Sequence, residues 1–244
     1  REKCGFHRQS LRNTEEIIVS CGILLLLRIK SDWKVATLLV DIGNTALKAS
    51  WADGITLGKT FRYQGERMLE YILSLVSDSR PEKLVLSSAR RFSAHHLQQL
   101  EAACDRLIVL DSASLSQKYD IPSYLTADRT ASIIASRYLF KKRGCTIFDL
   151  GTTLTVDFLD KDGKYEGGNI SLGCRTRFKA LNRYSKNLPL LGISDEISDK
   201  GTDIVSSVTS GVISGIMFEI EEYIARHQEN ITVFTGGDAI YFAK

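Results

Sequence analysis

Two ten-residue segments of the chain repeat one pattern. Residues 38–47 read LLVDIGNTAL and residues 146–155 read TIFDLGTTLT. Each is an apolar run ending in Asp, an apolar residue, Gly, a polar residue and Thr. The same order of buried strand, carboxylate, glycine turn and hydroxyl, met twice, is far above chance for segments this short. It constrains the chain to a duplicated architecture in which each half opens on a strand–turn–strand hairpin.

The rest of the sequence fits alternating strands and helices. Residues 37–42 read as a strand with 46–52 as its hairpin partner. Helical spacing runs over 66–77 through Met68, Leu69, Ile72, Leu75 and Val76. A short buried strand is expected at 83–87, a helix capped by Ser93 over 93–104, and a strand at 107–110. Residues 111–126 read as a polar loop, and 128–142 as a helix linking the two halves. Strands follow at 145–150 and 154–159, with a hairpin turn at Asp162-Gly163. A long helical pattern covers 204–226, and a last strand, 231–235, runs into Gly236-Gly237. The expected organisation is a leader, 1–36, outside the fold; a first domain, 37–127; and a second domain, 128–244.

Composition narrows the class. A chain of 244 residues, 43% hydrophobic and 25% charged, with 18 Gly and 3 Pro, can bury a sizeable core. This balance excludes collagen-like, low-complexity and disulfide-stapled classes. The first 34 residues carry seven basic and four acidic side chains and account for the net charge of +3; the remainder is neutral. No basic face is left to argue for nucleic acid. The five cysteines, Cys4, Cys21, Cys104, Cys145 and Cys174, form no CxxC pair and are odd in number, which fits free thiols in a reducing cytoplasm. The apolar run 17–27 is short for a membrane span, and the acidic pair Glu15-Glu16 and the absence of a small-x-small site set it apart from a signal peptide. Residues 1–36 are expected to be dispensable.

The repeated turns carry the chemistry. In Asp41-Ile42-Gly43-Asn44-Thr45 the glycine permits a tight turn and a close approach of ligand to backbone. Amide groups and the Asn44 and Thr45 side chains can donate to phosphate oxygens. Asp41 repels phosphate but can hold a water of Mg²⁺. Lys48 can add positive charge near a γ-phosphate. An ordinary hairpin would use Asp and Gly for the turn alone; the second copy at Asp149-Leu150-Gly151-Thr152-Thr153 favours a pair of phosphate loops. Gly236-Gly237-Asp238, after a strand, leaves backbone open for a flat ligand such as adenosine.

This order of motifs resembles the actin-like ATPase fold of sugar kinases, Hsp70 and acetate kinase, and more narrowly the type III pantothenate kinases. Asp41 to Thr45 is similar to the family's first phosphate motif and Phe148 to Thr152 to its second. Gly167-Gly168-Asn169-Ile170-Ser171, Gly173, Arg177, Ala180-Leu181 and Leu188-Pro189 resemble the segment after the second hairpin. Thr235 to Ala239 resembles the adenosine motif, and Tyr119 with Thr126-Ala127-Asp128-Arg129 the pantothenate-binding stretch. The resemblance covers roughly residues 38–244. It implies an α/β fold of duplicated actin-like (ribonuclease H-like) domains with mixed sheets. The implied activity is ATP-dependent phosphorylation of pantothenate to 4'-phosphopantothenate, the first step of coenzyme A biosynthesis.

The resemblance also implies roles for residues. Asp128 is the base. Tyr119, Thr126, Ala127, Arg129 and Ile204 lie at pantothenate. Asp41, Ile42, Gly43, Asn44, Thr45, Ala46, Leu47, Lys48, Gly151, Thr152, Thr153, Gly236 and Gly237 lie at ATP. Asp149 binds a monovalent cation, K⁺ or NH₄⁺. A cytoplasmic homodimer is implied, with no nucleic-acid or membrane partner.

A primary hydroxyl is a poor nucleophile near neutrality, so a carboxylate that accepts its proton is useful, and Arg129 can hold a carboxylate through two parallel hydrogen bonds. Asp128 would equally serve as a helix N-cap. Three positions depart from the family pattern: Thr126 stands where it has Gly, Leu172 where it has Pro, and Ile204 where a Thr reaches pantothenate across the dimer. The chain ends at Lys244, before a further strand and helix that family members usually have. Two alternatives remain open: another small-molecule kinase of the same fold, and a catalytically silent ATP-binding regulatory relative.

Overall fold

The computed structural model describes residues 16–18, 36–43, 45–53, 56–88 and 90–243. These fall into two compact units: 36–139 form the first, and 140–243 together with 16–18 form the second.

The first unit holds a five-stranded sheet. β2 (Thr37–Ile42), β3 (Leu47–Asp53) and β4 (Thr56–Tyr63) form an antiparallel meander. β5 (Lys83–Ser88) and β6 (Arg106–Leu110) add in parallel on the other side of β2, giving the order β4-β3-β2-β5-β6. The parallel additions require crossovers, supplied by helices α1 (Met68–Val76) and α2 (Ala94–Ala102). Ser93 caps α2, its hydroxyl accepting from the His96 amide at 3.2 Å. Strand alternation sends Leu38, Val40, Ile42, Leu47, Ala49, Leu84 and Leu86 to one face, where Met68, Ile72 and Leu100 of the crossover helices close the core. The other face carries Leu39, Ala52 and Val85 and, by the same alternation, Asp41 and Lys48.

The second unit repeats this plan. β7 (Cys145–Leu150), β8 (Thr153–Leu159) and β9 (Tyr165–Leu172) form the meander, and β10 (Ile231–Thr235) lies parallel to β7. The turn between β8 and β9 uses Gly163 at φ +79°, with Asp160 accepting from the Asp162 and Lys164 amides. Helix α5 (Cys174–Tyr184) follows β9, and α6 (Ile204–Arg226) crosses over to β10. The apolar character of α6 goes into the core: Val208, Val212, Ile216, Ile220 and Ile224 pack with Phe148, Leu154, Phe178 and Phe234. Its start is fixed by a capping box between Asp203 and Ser206. The short α7 (Ala239–Phe242) ends the described chain.

Three differences from the sequence reading change how the chain is organised. Residues 111–126, expected as a loop, contain helix α3 (Ser112–Tyr119). Asp111 caps it by accepting from the Ala113 and Ser114 amides, and Asp120 ends it in the left-handed region at φ 51°; its polar sequence hid the helical period. The linking helix is α4 (Ala127–Leu139), which starts one residue before the expected 128–142 and ends three before it, and it groups with the first unit, where it packs on β5. Finally, the segment assigned to an outlying leader contains β1 (Glu16–Ile18), which pairs in parallel with β10. The second sheet therefore has the order β1-β10-β7-β8-β9, with β1 in the place that β6 takes in the first.

Candidate active site

Loop 1 joins β2 to β3. The Gly43 amide donates to the Ala46 carbonyl at 3.0 Å and closes the turn. Asp41 is paired across the antiparallel ladder with Lys48 and across the parallel ladder with Ser87. Directly opposite residues share a face, so a carboxylate and an ammonium stand together at the carboxyl end of β2. Ile42 and Leu47, expected at ATP, are core residues whose backbone shapes the turn. Thr45 is exposed and Ala46 half-buried, while Asn44 lies outside the described residues.

The expected pantothenate residues gather at the start of α4 in the same unit. Thr126 precedes the helix, and its carbonyl accepts from the Thr130 amide at 3.0 Å. Asp128 is thus inside the first helical turn and is not the N-cap. It is exposed, and its Oδ1 accepts from the Arg129 amide at 2.9 Å. Arg129 is only 6% exposed, an unusual degree of burial for a guanidinium. Tyr119, the last residue of α3, is tied to the same helix: Arg137 Nη1 donates to its carbonyl at 2.5 Å. Lys118 Nζ lies 5.3 Å from the Tyr119 ring centre.

Loop 2 joins β7 to β8 in the second unit. The Gly151 amide donates to the Thr153 carbonyl at 3.0 Å. Asp149 faces Thr155 on one side and Thr235 on the other. Where Asp41 has a cation and a serine beside it, Asp149 has two threonines. Thr155 Oγ1 is buried without a hydrogen-bond partner, an orphaned oxygen on the face that Asp149 shares. Sequence reasoning missed Thr155; counting the hairpin register outward from Gly151 would have found it.

The adenosine motif sits directly on loop 2. Gly236, at φ +99°, packs against Asp149 and Leu150, and the Asp238 amide donates to the Leu150 carbonyl at 2.9 Å. A side chain on Gly237 would enter open space. Arg175 of α5 reaches Asp238 at 3.5 Å. Next to it, burial pushes the Cys174 thiol up to about 11, helped by the Asp238 carboxylate. Ile204, expected at pantothenate, is the exposed first residue of α6. The sequence-derived residues thus form two local groups. Loop 1 and the Tyr119–Arg129 stretch belong to the first unit; loop 2, the adenosine motif and Ile204 belong to the second.

Duplicated sheets of this order, each with an Asp-x-Gly-x-Thr turn in its antiparallel meander, are those of the actin-like fold of ATPases and kinases. The type III pantothenate kinase family model matches residues 37–226, and the chain belongs to that family. A type III pantothenate kinase of Azobacteroides pseudotrichonymphae is 33% identical over 213 residues, covering 85% of this chain and 86% of the relative. Another, from Phocaeicola vulgatus, is 33% identical over 212 residues, covering 84% and 87%. Among solved structures, a protein of Campylobacter jejuni described as a Baf family transcriptional activator matches with a TM-score of 0.54 and 21% identity, covering 84% of this chain and 86% of that one; this likeness shows the fold alone. The enzyme phosphorylates pantothenate with ATP to give 4'-phosphopantothenate, the first step of coenzyme A biosynthesis.

Proposed function

We propose that Asp128 is the general base of this reaction and that Arg129, Tyr119, Thr126, Ala127 and Ile204 bind pantothenate. The hydroxyl oxygen of pantothenate bonds to the γ-phosphorus of ATP as the bond to the β–γ bridging oxygen breaks. The hydroxyl proton passes to the Asp128 carboxylate, and ADP leaves. The observation that carries this reading is the placement of three groups by one helix. Asp128 is exposed on its first turn, Arg129 is buried beside it, and Tyr119 is anchored to it through Arg137. An exposed carboxylate can meet a substrate, and a buried guanidinium presents its fork without losing much side-chain freedom on binding.

ATP is bound by residues 41–48 of loop 1, by Gly151, Thr152 and Thr153 of loop 2, and by Gly236 and Gly237. Among the described residues no three His, Cys, Asp or Glu side chains converge on one point. Mg²⁺ keeps most of its waters and takes one or two carboxylates plus phosphate oxygens; Asp41, at the carboxyl end of β2 between Lys48 and Ser87, is the carboxylate for it. Asp149, with the orphaned Thr155 hydroxyl on its face, fits a monovalent cation, K⁺ or NH₄⁺. These cations would supply compensation for phosphate charge.

The enzyme works as a cytoplasmic homodimer. Phe218, Ile204 and Val205 of α6, and Ile170 and Leu172 of β9, are exposed apolar side chains that a second copy would cover. The test is ADP release by the full chain with and without pantothenate. Release that needs pantothenate supports the reading; release indifferent to it, or none at all, would sink it.

A further inference from the structure

The first turn of α5 meets loop 2 at a single carbonyl. The Gly173 amide donates to the Thr152 oxygen at 3.1 Å, and the Thr176 hydroxyl donates to the same oxygen at 2.6 Å. The approach needs glycine, because a Cβ on Gly173 would lie 2.0 Å from the Gly151 oxygen. Arg177 fixes this turn from behind. Its Nε donates to the Leu172 carbonyl at 2.8 Å, its Nη2 to Ser171 Oγ at 3.3 Å, and it forms an ion pair with Glu219. Ser171 Oγ in turn donates to Glu219 Oε1 at 2.8 Å. β9, α5 and α6 therefore hold the Thr176 hydroxyl in place.

A carbonyl oxygen has two lone pairs, and these two donors engage both on Thr152. In a trans peptide the carbonyl and the following N–H point in opposite directions, and every described peptide is trans. Holding the Thr152 oxygen toward α5 thus turns the Thr153 N–H away from α5. We infer that Thr176 is a positioning residue for the nucleotide: by fixing the Thr152–Thr153 peptide plane it aims the Thr153 amide at a phosphate of ATP. This rests on the assignment of loop 2 to ATP made above.

The test is steady-state kinetics of the full chain with ATP and pantothenate varied separately, alongside nucleotide titration and melting temperature. Thr176→Val removes the hydroxyl and keeps the β-branched shape; Thr176→Ser keeps the hydroxyl. The expected result for Thr176→Val is a rise in KM for ATP of about five- to tenfold, the size of one net hydrogen bond. The KM for pantothenate and the melting temperature stay near wild type, and Thr176→Ser restores the KM for ATP. Thr176→Ala, which cannot overpack, carries the same expectation should the valine variant fold poorly. An unchanged KM for ATP, or a change that serine does not rescue, overturns the inference. Titration separates the binding of nucleotide at loop 2 from the positioning role of Thr176. Wild-type protein that binds no nucleotide overturns the loop assignment and this inference with it. Binding equal in wild type and Thr176→Val overturns the positioning role alone.

Discussion

A Cβ placed on Gly236 would lie 2.5 Å from Oδ1 of Asp149, and 2.6 Å from both the amide nitrogen and the carbonyl oxygen of Leu150. The last two are backbone atoms and cannot rotate away. Gly236 also has φ +99°, where a non-glycine residue costs about 1–3 kcal/mol. Gly236→Ala is therefore expected to lower the melting temperature and weaken nucleotide binding together. Gly237→Ala should leave the melting temperature alone, since its side chain meets nothing within 4 Å, and weaken only the nucleotide. Thermal melts beside nucleotide titrations check both.

Asp128→Asn should abolish most turnover while sparing ATP binding. Asparagine retains the oxygen that accepts from the Arg129 amide, and the N-cap position lies outside the substitution, so α4 should form as before. A lost general base lowers the rate by about 10²–10⁴. Asp41→Asn should act earlier, weakening nucleotide binding in the presence of Mg²⁺. Near-normal turnover in Asp128→Asn would leave Asp128 a first-turn residue of α4 and nothing more.

Burial raises two thiols far above their ordinary value of 9.0, Cys145 to about 12 and Cys174 to about 11. In the unfolded chain both lose protons from about pH 9, while the folded protein keeps them. Through pH 9 and up to about 11 the unfolded state binds fewer protons, so stability falls as pH rises; well below pH 9 these thiols contribute no slope. The double variant Cys145→Ala/Cys174→Ala should lose less melting temperature than wild type between pH 8.5 and 10.5. Parallel curves for the two proteins would contradict the assignment.

Removing residues 1–18 should not be neutral. Without β1, the outer edge of β10 presents unpaired backbone donors and acceptors, a template for pairing with other chains. The truncated protein is expected to melt lower and to aggregate as concentration rises. Scattering during thermal melts of both forms reads this out, and identical behaviour would make the pairing inconsequential.

Phe218 is 55% exposed on α6. Phe218→Asp places a charge on that apolar surface without touching the core residues of the helix. Light scattering at micromolar concentration should find the wild type dimeric and the variant shifted to monomer. A wild-type monomer with full activity would remove the dimer from the proposed function.

The duplicated hairpins were legible because their signal is local. Thr37–Ile42, Cys145–Leu150 and Ile231–Thr235 have the bounds that their apolar runs mark, and Ile204–Arg226 follows its helical period. The strands β4 and β9 escaped notice because β4 is mostly exposed and β9 is Gly-rich and exposed, leaving little apolar alternation. α3 was hidden for a similar reason, its sequence SASLSQKY being nearly all polar. The two phosphate-loop carboxylates could be read from the motifs. Their surroundings could not: Thr155 depends on hairpin register, and Thr176 reaches a carbonyl on a loop 24 residues earlier. β1 lay beyond reach, since nothing local marks a strand whose partner is near the other end of the chain.

That last pairing bears on how the protein is made. All five strands of the first sheet lie between Thr37 and Leu110, so that sheet can close while the ribosome is still working. β1 leaves the ribosome before any of them, yet its partner β10 follows only after the whole first sheet and the β7–β9 meander. At about 5–20 residues per second, Glu16–Ile18 waits roughly 10–40 s for Ile231–Thr235. Through that interval β1 waits without its partner, and the second sheet cannot take its full strand order until β10 arrives. Synthesis rate and chaperone supply should therefore govern the yield of folded enzyme more strongly than they would for the first unit alone.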